Sequence, residues 1–472
     1  MITSSKFTQY KDRLFSEYRS TFNISMEVFE KNKEYFPNRV SHAGRFYEPF
    51  PVYISKGQGS TLTTIEGKKL VDFWQGHFTN IFGYDQDAAT QMSDLIKETN
   101  LNQTGQFHVY EGELANKLRQ NTNHDNFVFT TSGSLATLYA TFLGLSYTKR
   151  EKVLKLDGGW HGVQPYGLKG VRYPNGIDKA ETEYSGLNEY FDNSVLTTPL
   201  NDCQKLEDVF KKHGETIGVF LLELVLGNSG MIVSSKEFVK LARTLCDKYG
   251  CILIVDELVT GFRVKNGLMS DLYGINADIS TLGKSMSGGF PLACIAGRSE
   301  LFDAVRLQNK FRLGIDAGTF SSHPLSLFAS LNVIKKMEND LDMFDRTVQN
   351  MNYLRSNLET IFKKHNIAAH ITGNSIDSDI PNFPIGTVRY ITNIKNYDYK
   401  NPLSHWDSES TDIQFRNNIT KIAFILRGYF TWQGLGVMTN SITKAEIDAF
   451  INIYEGFVNE IAPFFQNRLV VM

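Results

Sequence analysis

Hydrophobic residues along the chain fall into short apolar runs that alternate with helical patterns. Between about residues 126 and 300 one order recurs: an apolar run, a turn of small residues, and an amphipathic segment with helical periodicity. NFVFT, KVLKL, IGVFLLELVL and CILIVDE are such runs, and each one ends at a turn that carries polar or small residues. Buried strands alternating with helices predict a mostly parallel sheet that is covered on both faces.

The two ends of the chain have different patterns. Residues 1–40 read as helical, mixed in charge and peripheral, and 51–74 alternates polar and apolar residues around glycines, as an antiparallel meander does. A long helical pattern covers 325–360. The last hundred residues mix strand-like runs, among them TVRYITNI and KIAFILRGYF, with a final helix, KAEIDAFINIYEGFVNEIAPFF. We expect three segments: 1–100 as the N-terminal segment with part of a small domain, 101–345 as a large domain, and 346–472 as the C-terminal small domain.

Composition and charge narrow the classes of partner. The chain is 42% hydrophobic, and its 49 basic and 51 acidic residues leave a net charge of −2, which argues against nucleic acid as a partner. The apolar runs are about half as long as a membrane helix needs, so no membrane association is expected. Four cysteines without CxxC spacing are typical of a reduced, cytoplasmic protein, and the ten histidines show no metal-binding spacing. We expect no metal site.

A candidate binding site lies where the predicted strands end. Ser132, Gly133 and Ser134 separate a strand from a helix, whose N-terminus offers free N–H groups and a positive dipole end to a phosphate-sized anion. The same serines would also serve as ordinary helix caps. Trp160 and His161 follow another strand, where the tryptophan either stacks on a flat ring or fills the core. Ligands of open α/β sheets bind at the carboxyl ends of strands, so these turns are expected to face one site.

Asp256 and Lys284 complete this candidate site. Asp256 ends the strand CILIVD, and Lys284 lies 28 residues later in TLGKSMSGG, after the next strand. A buried carboxylate needs a partner such as a protonated ring nitrogen, although a helix cap or a salt bridge is the more common reason for one. A desolvated amine beside a cationic ring attacks aldehydes, whereas a lone lysine is ordinarily a surface residue. Together, the anion site, aromatic face, carboxylate and amine match what pyridoxal 5′-phosphate requires.

The sequence resembles the class-III pyridoxal-phosphate aminotransferases of fold type I. The likeness rests on DELVTGFRV, the 28-residue step to TLGKSMSGGFPLACIAGR, and GTFSSHPL at 318–325, and it runs from about Pro51 to the C-terminal helix. It is greatest to the branch that contains glutamate-1-semialdehyde aminomutase. The resemblance implies an α/β fold with a mostly parallel, seven-stranded type of sheet in the large domain. It also implies a smaller α+β domain built from both chain ends, and a homodimer with active sites at the interface.

The resemblance also implies roles for individual residues. Lys284 would form the Schiff base with pyridoxal phosphate and later move protons, and Asp256 would hold the proton on the pyridinium nitrogen. The other predicted cofactor contacts are Ser132, Gly133 and Ser134 at the phosphate, Thr319 at the phosphate of the neighbouring subunit, Trp160 and Leu258 on the two ring faces, His161 beside them, and Glu223 with Asn228 in the segment LLELVLGN. Trp74 matches a position that lines the substrate pocket.

A substrate carboxylate would need a cationic side chain. Arg45 is a candidate because its planar guanidinium suits a carboxylate. Arg427 is a second candidate, for which a structural ion pair is the favoured interpretation. The polar, turn-rich segment 167–195 is a candidate mobile lid.

The expected activity is amino transfer from an amino-acid donor, with glutamate as the first candidate, to a ketone or aldehyde in a biosynthetic pathway. The alternatives are the intramolecular amino shift of the aminomutase and a pyridoxal-phosphate-dependent racemase. A catalytically silent scaffold is a further possibility, against which the presence of both Lys284 and Asp256 argues. Leu135, Leu224 and His323 differ from the family's usual pattern, which leaves the cofactor chemistry intact but argues against a strict aminomutase identity.

Overall fold

The computed structural model describes residues 5–100, 103, 105–172, 180–309, 313–392, 398, 401–407 and 410–465. Its α-helices are α1 (Ser5–Thr21), α2 (Asn23–Asn32), α3 (Gln75–Phe78), α4 (Gln86–Thr99), α5 (Val109–Asn121), α6 (Gly133–Thr148), α7 (Glu189–Ser194), α8 (Cys203–His213), α9 (Lys236–Tyr249), α10 (Ser270–Tyr273), α11 (Ser299–Gln308), α12 (Pro324–Asn339), α13 (Asp342–Lys364), α14 (Thr420–Leu426) and α15 (Lys444–Phe465). Its strands are β1 (Ile54–Gln58), β2 (Thr61–Thr64), β3 (Lys69–Asp72), β4 (Asn126–Thr130), β5 (Lys152–Leu156), β6 (Val195–Thr198), β7 (Ile217–Leu222), β8 (Val225–Leu226), β9 (Ile232–Val233), β10 (Ile252–Asp256), β11 (Ile279–Leu282), β12 (Ala293–Gly297), β13 (Ala369–Ile371), β14 (Ile385–Gly386), β15 (Val388–Tyr390), β16 (Tyr429–Phe430) and β17 (Gly436–Val437).

The central sheet has seven strands in the order β4-β12-β11-β10-β7-β5-β6. β10 pairs in parallel with β11 and β7, and β5 pairs in parallel with β7 and β6. β12 is antiparallel to both of its neighbours, β11 and β4, so β4 runs in the same direction as β11. Every residue of β7, β10 and β11 is buried, as expected for strands covered on both faces. The carboxyl ends of β4, β5, β7, β10 and β11 therefore lie along one edge, and the predicted fold class is confirmed.

A smaller sheet joins the two ends of the chain. The predicted meander is present as β1, β2 and β3, and β16 from the C-terminal part pairs in parallel with β3. One hydrophobic cluster combines Tyr18 and Phe29 of the N-terminal helices with Tyr454 and Phe457 of α15. The smaller unit is thus built from both chain ends, as expected. The boundaries 1–100, 101–345 and 346–472 stay a prediction.

Three local predictions are wrong. KIAFILRGYF forms helix α14 followed by the short strand β16; six consecutive α14 residues, 420–425, are buried, so the segment lacks the polar face that reveals a helix. Residues 5–35 are largely helical but not peripheral, because Tyr18 and Phe29 are fully buried in the shared core. The pattern at 325–360 is two helices, since the chain leaves helical geometry at Asp340 (φ −147°, ψ 70°). Among the described helices, none is both long and apolar enough to cross a bilayer.

Candidate active site

The parallel pairing of β10 with β11 brings Asp256 and Lys284 to one edge of the sheet. Asp256 is paired in register with Thr281, and Lys284 follows Thr281 by three residues. Lys284 begins a single 3₁₀ turn and has a left-handed φ of 38°. A non-glycine residue in that region carries strain of about 1–3 kcal/mol, and such strain is concentrated at functional sites. A hydrogen bond of 2.8 Å from the Ser287 hydroxyl to the Lys284 carbonyl holds the turn.

Asp256 is a buried carboxylate that is held in its charged form. Its Oδ1 accepts hydrogen bonds from the Thr281 hydroxyl (2.9 Å) and the Leu258 N–H (3.2 Å), and its Oδ2 lies 2.8 Å from His161 Nδ1. Burial by itself would raise the pKa of Asp256, but the His161 hydrogen bond, the charges of His161 and Lys284, and the Thr281 hydroxyl together hold it below its ordinary value. His161 thus lies behind Asp256 as a positioning residue.

The Lys284 amine interacts electrostatically with this carboxylate. In the described part of the chain, no hydrogen-bond acceptor is found for its Nζ. Burial lowers the pKa of Lys284, the negative charges of Asp256 and Glu223 oppose that shift, and the positive charge of Arg263 adds to it. A lowered pKa increases the neutral fraction of the amine, and the neutral amine is the nucleophile toward an aldehyde.

The turn before α6 presents an anion-binding helix end. Ser132 is the N-cap of this 16-residue helix, and its hydroxyl accepts from the Leu135 N–H at 3.3 Å, so the capping role is real. The N–H groups of Gly133 and Ser134 are in the first turn and have no partner within the helix, which leaves them free for an anion. The Ser134 hydroxyl accepts from the Val163 N–H (3.2 Å) and ties this turn to the loop that follows Trp160.

Leu258 lies between the anion turn and the Lys284 loop. A Cβ added at Gly133 would lie 2.6 Å from Leu258 Cδ1, and one added at Gly283 would lie 2.8 Å from Leu258 Cδ2. Glycine at both positions therefore leaves room for the Leu258 side chain between the two turns.

Glu223 fixes the backbone at Trp160, on another side of the candidate site. Its Oε1 accepts from the Trp160 N–H at 2.7 Å, and its Oε2 accepts from the Gly227 N–H at 3.1 Å. Burial raises the pKa of this carboxyl, and the nearby Asp256 charge acts in the same direction. Trp160 keeps 37% of its surface exposed, so part of its ring is open to a ligand. The Nδ2 atom of Asn228 is enclosed, with no acceptor among the described residues.

Trp74 and Arg45 are connected through His77. The Arg45 side chain is exposed, and its Nε donates to His77 Nε2 at 3.2 Å. The His77 ring lies 4.4 Å from the Trp74 ring, which is itself 7% exposed. Arg427 is not part of this group. It forms two hydrogen bonds, of 2.7 and 2.8 Å, with Glu460 and therefore belongs to a structural ion pair, as expected.

Thr319 is separate from the other predicted residues within one chain. It is exposed, its carbonyl accepts from the Gln103 side chain, and no described contact connects it with Lys284. The resemblance predicts this separation, since it assigns Thr319 to the phosphate of a neighbouring subunit.

The candidate lid at 167–195 is only partly described, because 173–179 lie outside the described residues. Its two flanks are hydrogen-bonded to each other, with Gly170 N–H donating to Glu181 and Glu183 N–H donating to Leu168. Lys155, which is fully buried, also donates to the Lys169 carbonyl at 2.6 Å. Movement of this segment stays a prediction.

Sequence reasoning missed four residues around the site. Thr281 was detectable, because it lies three residues before Lys284 on the strand beside Asp256. Arg263 was detectable in the quoted motif DELVTGFRV; its guanidinium is buried and donates to the Phe78 carbonyl. His77 and Lys421 had no local signal, since Lys421 belongs to the segment misread as a strand.

The residues present fit pyridoxal phosphate. The α6 N-terminus suits its phosphate, the ionised Asp256 suits a protonated ring nitrogen, and Lys284 suits its aldehyde. Two enclosed nitrogen atoms, Asn228 Nδ2 and His161 Nε2, have no acceptor in the described protein, which is expected where a polar ligand or water belongs.

Comparisons with known proteins agree with this geometry. The family model for class-III aminotransferases matches residues 43–376. The chain is 30% identical to glutamate-1-semialdehyde 2,1-aminomutase of Methanobrevibacter smithii over 340 residues, covering 72% of this chain and 78% of the relative. Its counterpart from Ignicoccus hospitalis is 32% identical over 320 residues, covering 66% and 74%.

Solved structures share the fold over nearly the whole chain. An omega-transaminase from Sphaerobacter thermophilus superposes with a TM-score of 0.82 at 21% identity, covering 93% of this chain and 98% of its own. A beta-phenylalanine aminotransferase from Variovorax paradoxus gives 0.81 at 21% identity, covering 97% and 98%. A glutamate-1-semialdehyde aminomutase from Pseudomonas aeruginosa gives 0.82 at 16% identity, covering 95% and 97%. At these identities the likeness concerns the fold alone.

Proposed function

Since this chain belongs to the class-III aminotransferase family, and is accordingly an enzyme that uses pyridoxal 5′-phosphate, we propose that it transfers an amino group between small molecules. The donor is an amino acid, with glutamate as the first candidate, and the acceptor is a ketone or aldehyde. The observation that carries this proposal is the pair formed by Asp256 and Lys284. A buried, ionised carboxylate is held by three donors beside an amine whose pKa is lowered.

The bound cofactor supplies an aldehyde that takes up the amino group and a ring that draws electrons from the reacting carbon. The protein supplies the rest. Asp256 keeps a proton on the ring nitrogen, because a charged carboxylate buried in this way favours a cationic partner. Lys284, whose pKa burial lowers, would take the proton from the substrate carbon that bears the amino group and would deliver it to the cofactor's aldehyde carbon, on the other side of the transferred nitrogen. The N–H groups at the start of α6 would bind the cofactor's phosphate, and Leu258 and Trp160 would lie on the two sides of its ring.

Two further features belong to the proposal. Thr319 is exposed within one chain, so we place it at the phosphate of a second copy, in a homodimer with sites at the interface. We also place the protein in the cytoplasm.

A second candidate function is an intramolecular 1,2-amino shift. The similarity to curated aminomutases at 30–32% identity favours it, because those relatives align over most of this chain. The two functions use the same pair, Asp256 and Lys284, and differ in whether an external donor is needed.

The experiment uses enzyme loaded with pyridoxal phosphate. L-Glutamate is added alone, the visible absorbance is followed, and released 2-oxoglutarate is measured in the filtrate. Loss of the absorbance with one equivalent of 2-oxoglutarate per cofactor supports an aminotransferase that uses glutamate. An unchanged spectrum, together with isomerisation of glutamate-1-semialdehyde without an added donor, supports the amino shift instead.

Two controls separate the remaining possibilities. Inversion of a chiral amino acid without release of an oxo acid would identify a racemase. Lys284→Ala must be inactive in whichever assay gives turnover, and undiminished turnover in this variant would refute the assignment of the amine.

A further inference from the structure

Lys421 is a buried lysine in a recess formed by three aromatic side chains. It lies on α14 and is 8% exposed. Its Nζ is 4.5 Å from the ring centres of Trp74 and Phe430 and 5.0 Å from that of Tyr47. The Trp74 and Phe430 rings are stacked, with centres 5.7 Å apart, and form one wall of what we call the aromatic recess (Tyr47, Trp74, Phe430).

The aromatic recess attracts a cation but offers it no hydrogen-bond acceptor. An ammonium carries three N–H donors, and in the described part of the chain neither a hydrogen-bond acceptor nor an ion-pair partner is found for Lys421 Nζ. Asp72 is the carboxylate that acts electrostatically on Lys421, yet its own oxygens accept from the Trp74 N–H, the Gln75 N–H and the Tyr84 hydroxyl. A buried cation without acceptors is costly, so an incoming acceptor would be favoured.

Trp74 links the aromatic recess to His77. Its ring centre lies 4.5 Å from Lys421 Nζ and 4.4 Å from the centre of the His77 ring. Burial lowers the pKa of His77 to about 3, and the charges of Arg45, Lys284 and Lys421 act in the same direction. The His77 side chain is thus within electrostatic range of three cationic residues, one of which is Lys284.

The segment that carries Trp74 and His77 is fixed in an unusual conformation. The turn α3 is left-handed, with φ of 49°, 61°, 59° and 72° at its four residues, 75–78. Asp72 anchors its start through the hydrogen bonds given above, and Arg263 donates to the carbonyl at its end. Left-handed residues other than glycine persist only where the surroundings hold them, and this occurs mostly at ligand sites.

We propose that Lys421 binds a carboxylate of the substrate in the aromatic recess and so selects amino and oxo acids over amines and carbonyl compounds that lack the carboxylate. This inference rests on the proposed function and names the substrate class of the same site. The carboxylate supplies the acceptor that Nζ lacks, while the rings of Tyr47, Trp74 and Phe430 keep water from the ion pair. Arg45, which is exposed, lies nearer to solvent and is the residue that an arriving anion meets first.

The competing interpretation is a purely structural cation that stabilises the ring stack. It predicts that Lys421 affects folding but not ligand selection. The two interpretations are separated by comparing ligands that differ only in the carboxylate.

The test is calorimetric titration of the pyridoxal-phosphate-loaded enzyme with glutarate and with glutaramide, its uncharged analogue. Lys421→Met is expected to weaken glutarate binding by roughly ten- to a hundredfold, which is the effect of losing one charge-assisted hydrogen bond, and to leave glutaramide binding unchanged. Lys421→Arg keeps the charge and is expected to retain part of the affinity. Lys248→Met is the matched control, because its ammonium lies 5.2 Å from the Tyr249 ring on an exposed part of α9.

Kinetics provide a second readout. The ratio of kcat/KM for 4-aminobutyrate to that for butylamine, which differ by one carboxylate, is expected to fall in Lys421→Met mainly through KM. The inference is overturned if the variant folds and binds glutarate within twofold of the wild type, if the wild type does not bind glutarate, or if both amines lose activity equally. Failure of the proposed function would give a different result, because glutarate binding needs no turnover. If glutarate binds in a Lys421-dependent way but no donor gives amino transfer, only the proposed function is refuted.

Discussion

Asp256→Asn tests the central feature of the site, because its neighbour Glu257 provides an internal control. Both carboxylates are buried, at 5% and 0% exposure. Asp256 accepts from His161, Thr281 and the Leu258 N–H. The amide keeps one acceptor oxygen but loses the charge, so the proton on the cofactor's ring nitrogen is no longer held.

The expected magnitude follows from that lost interaction. A hydrogen bond to a charged group contributes about 1.5–3 kcal/mol, and 1.36 kcal/mol corresponds to a tenfold rate change, so the single-turnover rate should fall by at least about ten- to 150-fold. The rate is measured by stopped-flow absorbance with L-glutamate or with the donor that gives turnover, and cofactor affinity is measured in parallel.

Glu257→Gln should behave in the opposite way. Glu257 accepts from the Thr260 hydroxyl and from the N–H groups of Met269 and Ser270, all of which are structural contacts. The amide would face one of these donors with an N–H group, which costs about 1–3 kcal/mol of stability and lowers Tm while the rate stays near that of the wild type. A rate for Asp256→Asn within threefold of the wild type, or an equal loss in both variants, would refute the assignment of Asp256.

The remaining expectations concern the amine, the dimer and two further cations. Lys284→Ala should lose the visible absorbance of bound cofactor and all turnover while the circular dichroism spectrum is kept. Thr319→Ala should raise the Kd for pyridoxal phosphate, and light scattering should show that the protein is a dimer. Arg427→Gln should cost at most about 1 kcal/mol and leave KM unchanged, because its pair with Glu460 is partly exposed. Burial lowers the pKa of Lys421 from 10.5 to about 7, so between these pH values the unfolded chain binds more protons than the folded one. The free energy of unfolding should therefore rise with pH in this range. Lys421→Met should flatten that rise, as measured by urea unfolding at pH 7 and 9.5.

Hydrophobic periodicity along the chain does not identify the type of an element that is buried on all sides. KIAFILRGYF reads as a strand because nearly all of its residues are apolar, yet it forms α14 and β16. Periodicity separates helix from strand through the contrast between a buried and a solvated face, and this segment has no solvated face. The only charged residue in α14 is Lys421, which is itself buried, and no local pattern indicates its place beside Trp74.

The sequence by itself determined the alternation of strands and helices, the fold class and the placing of Asp256 and Lys284 at one edge of the sheet. These follow from local order, because the carboxyl ends of neighbouring parallel strands meet at the same edge whatever surrounds them. Only the tertiary structure decided that His161 lies behind Asp256, that Arg427 pairs with Glu460, and that Lys421 lies in an aromatic recess. Each of these contacts joins residues that are distant along the chain, and it depends on how the packed elements meet rather than on any local spacing.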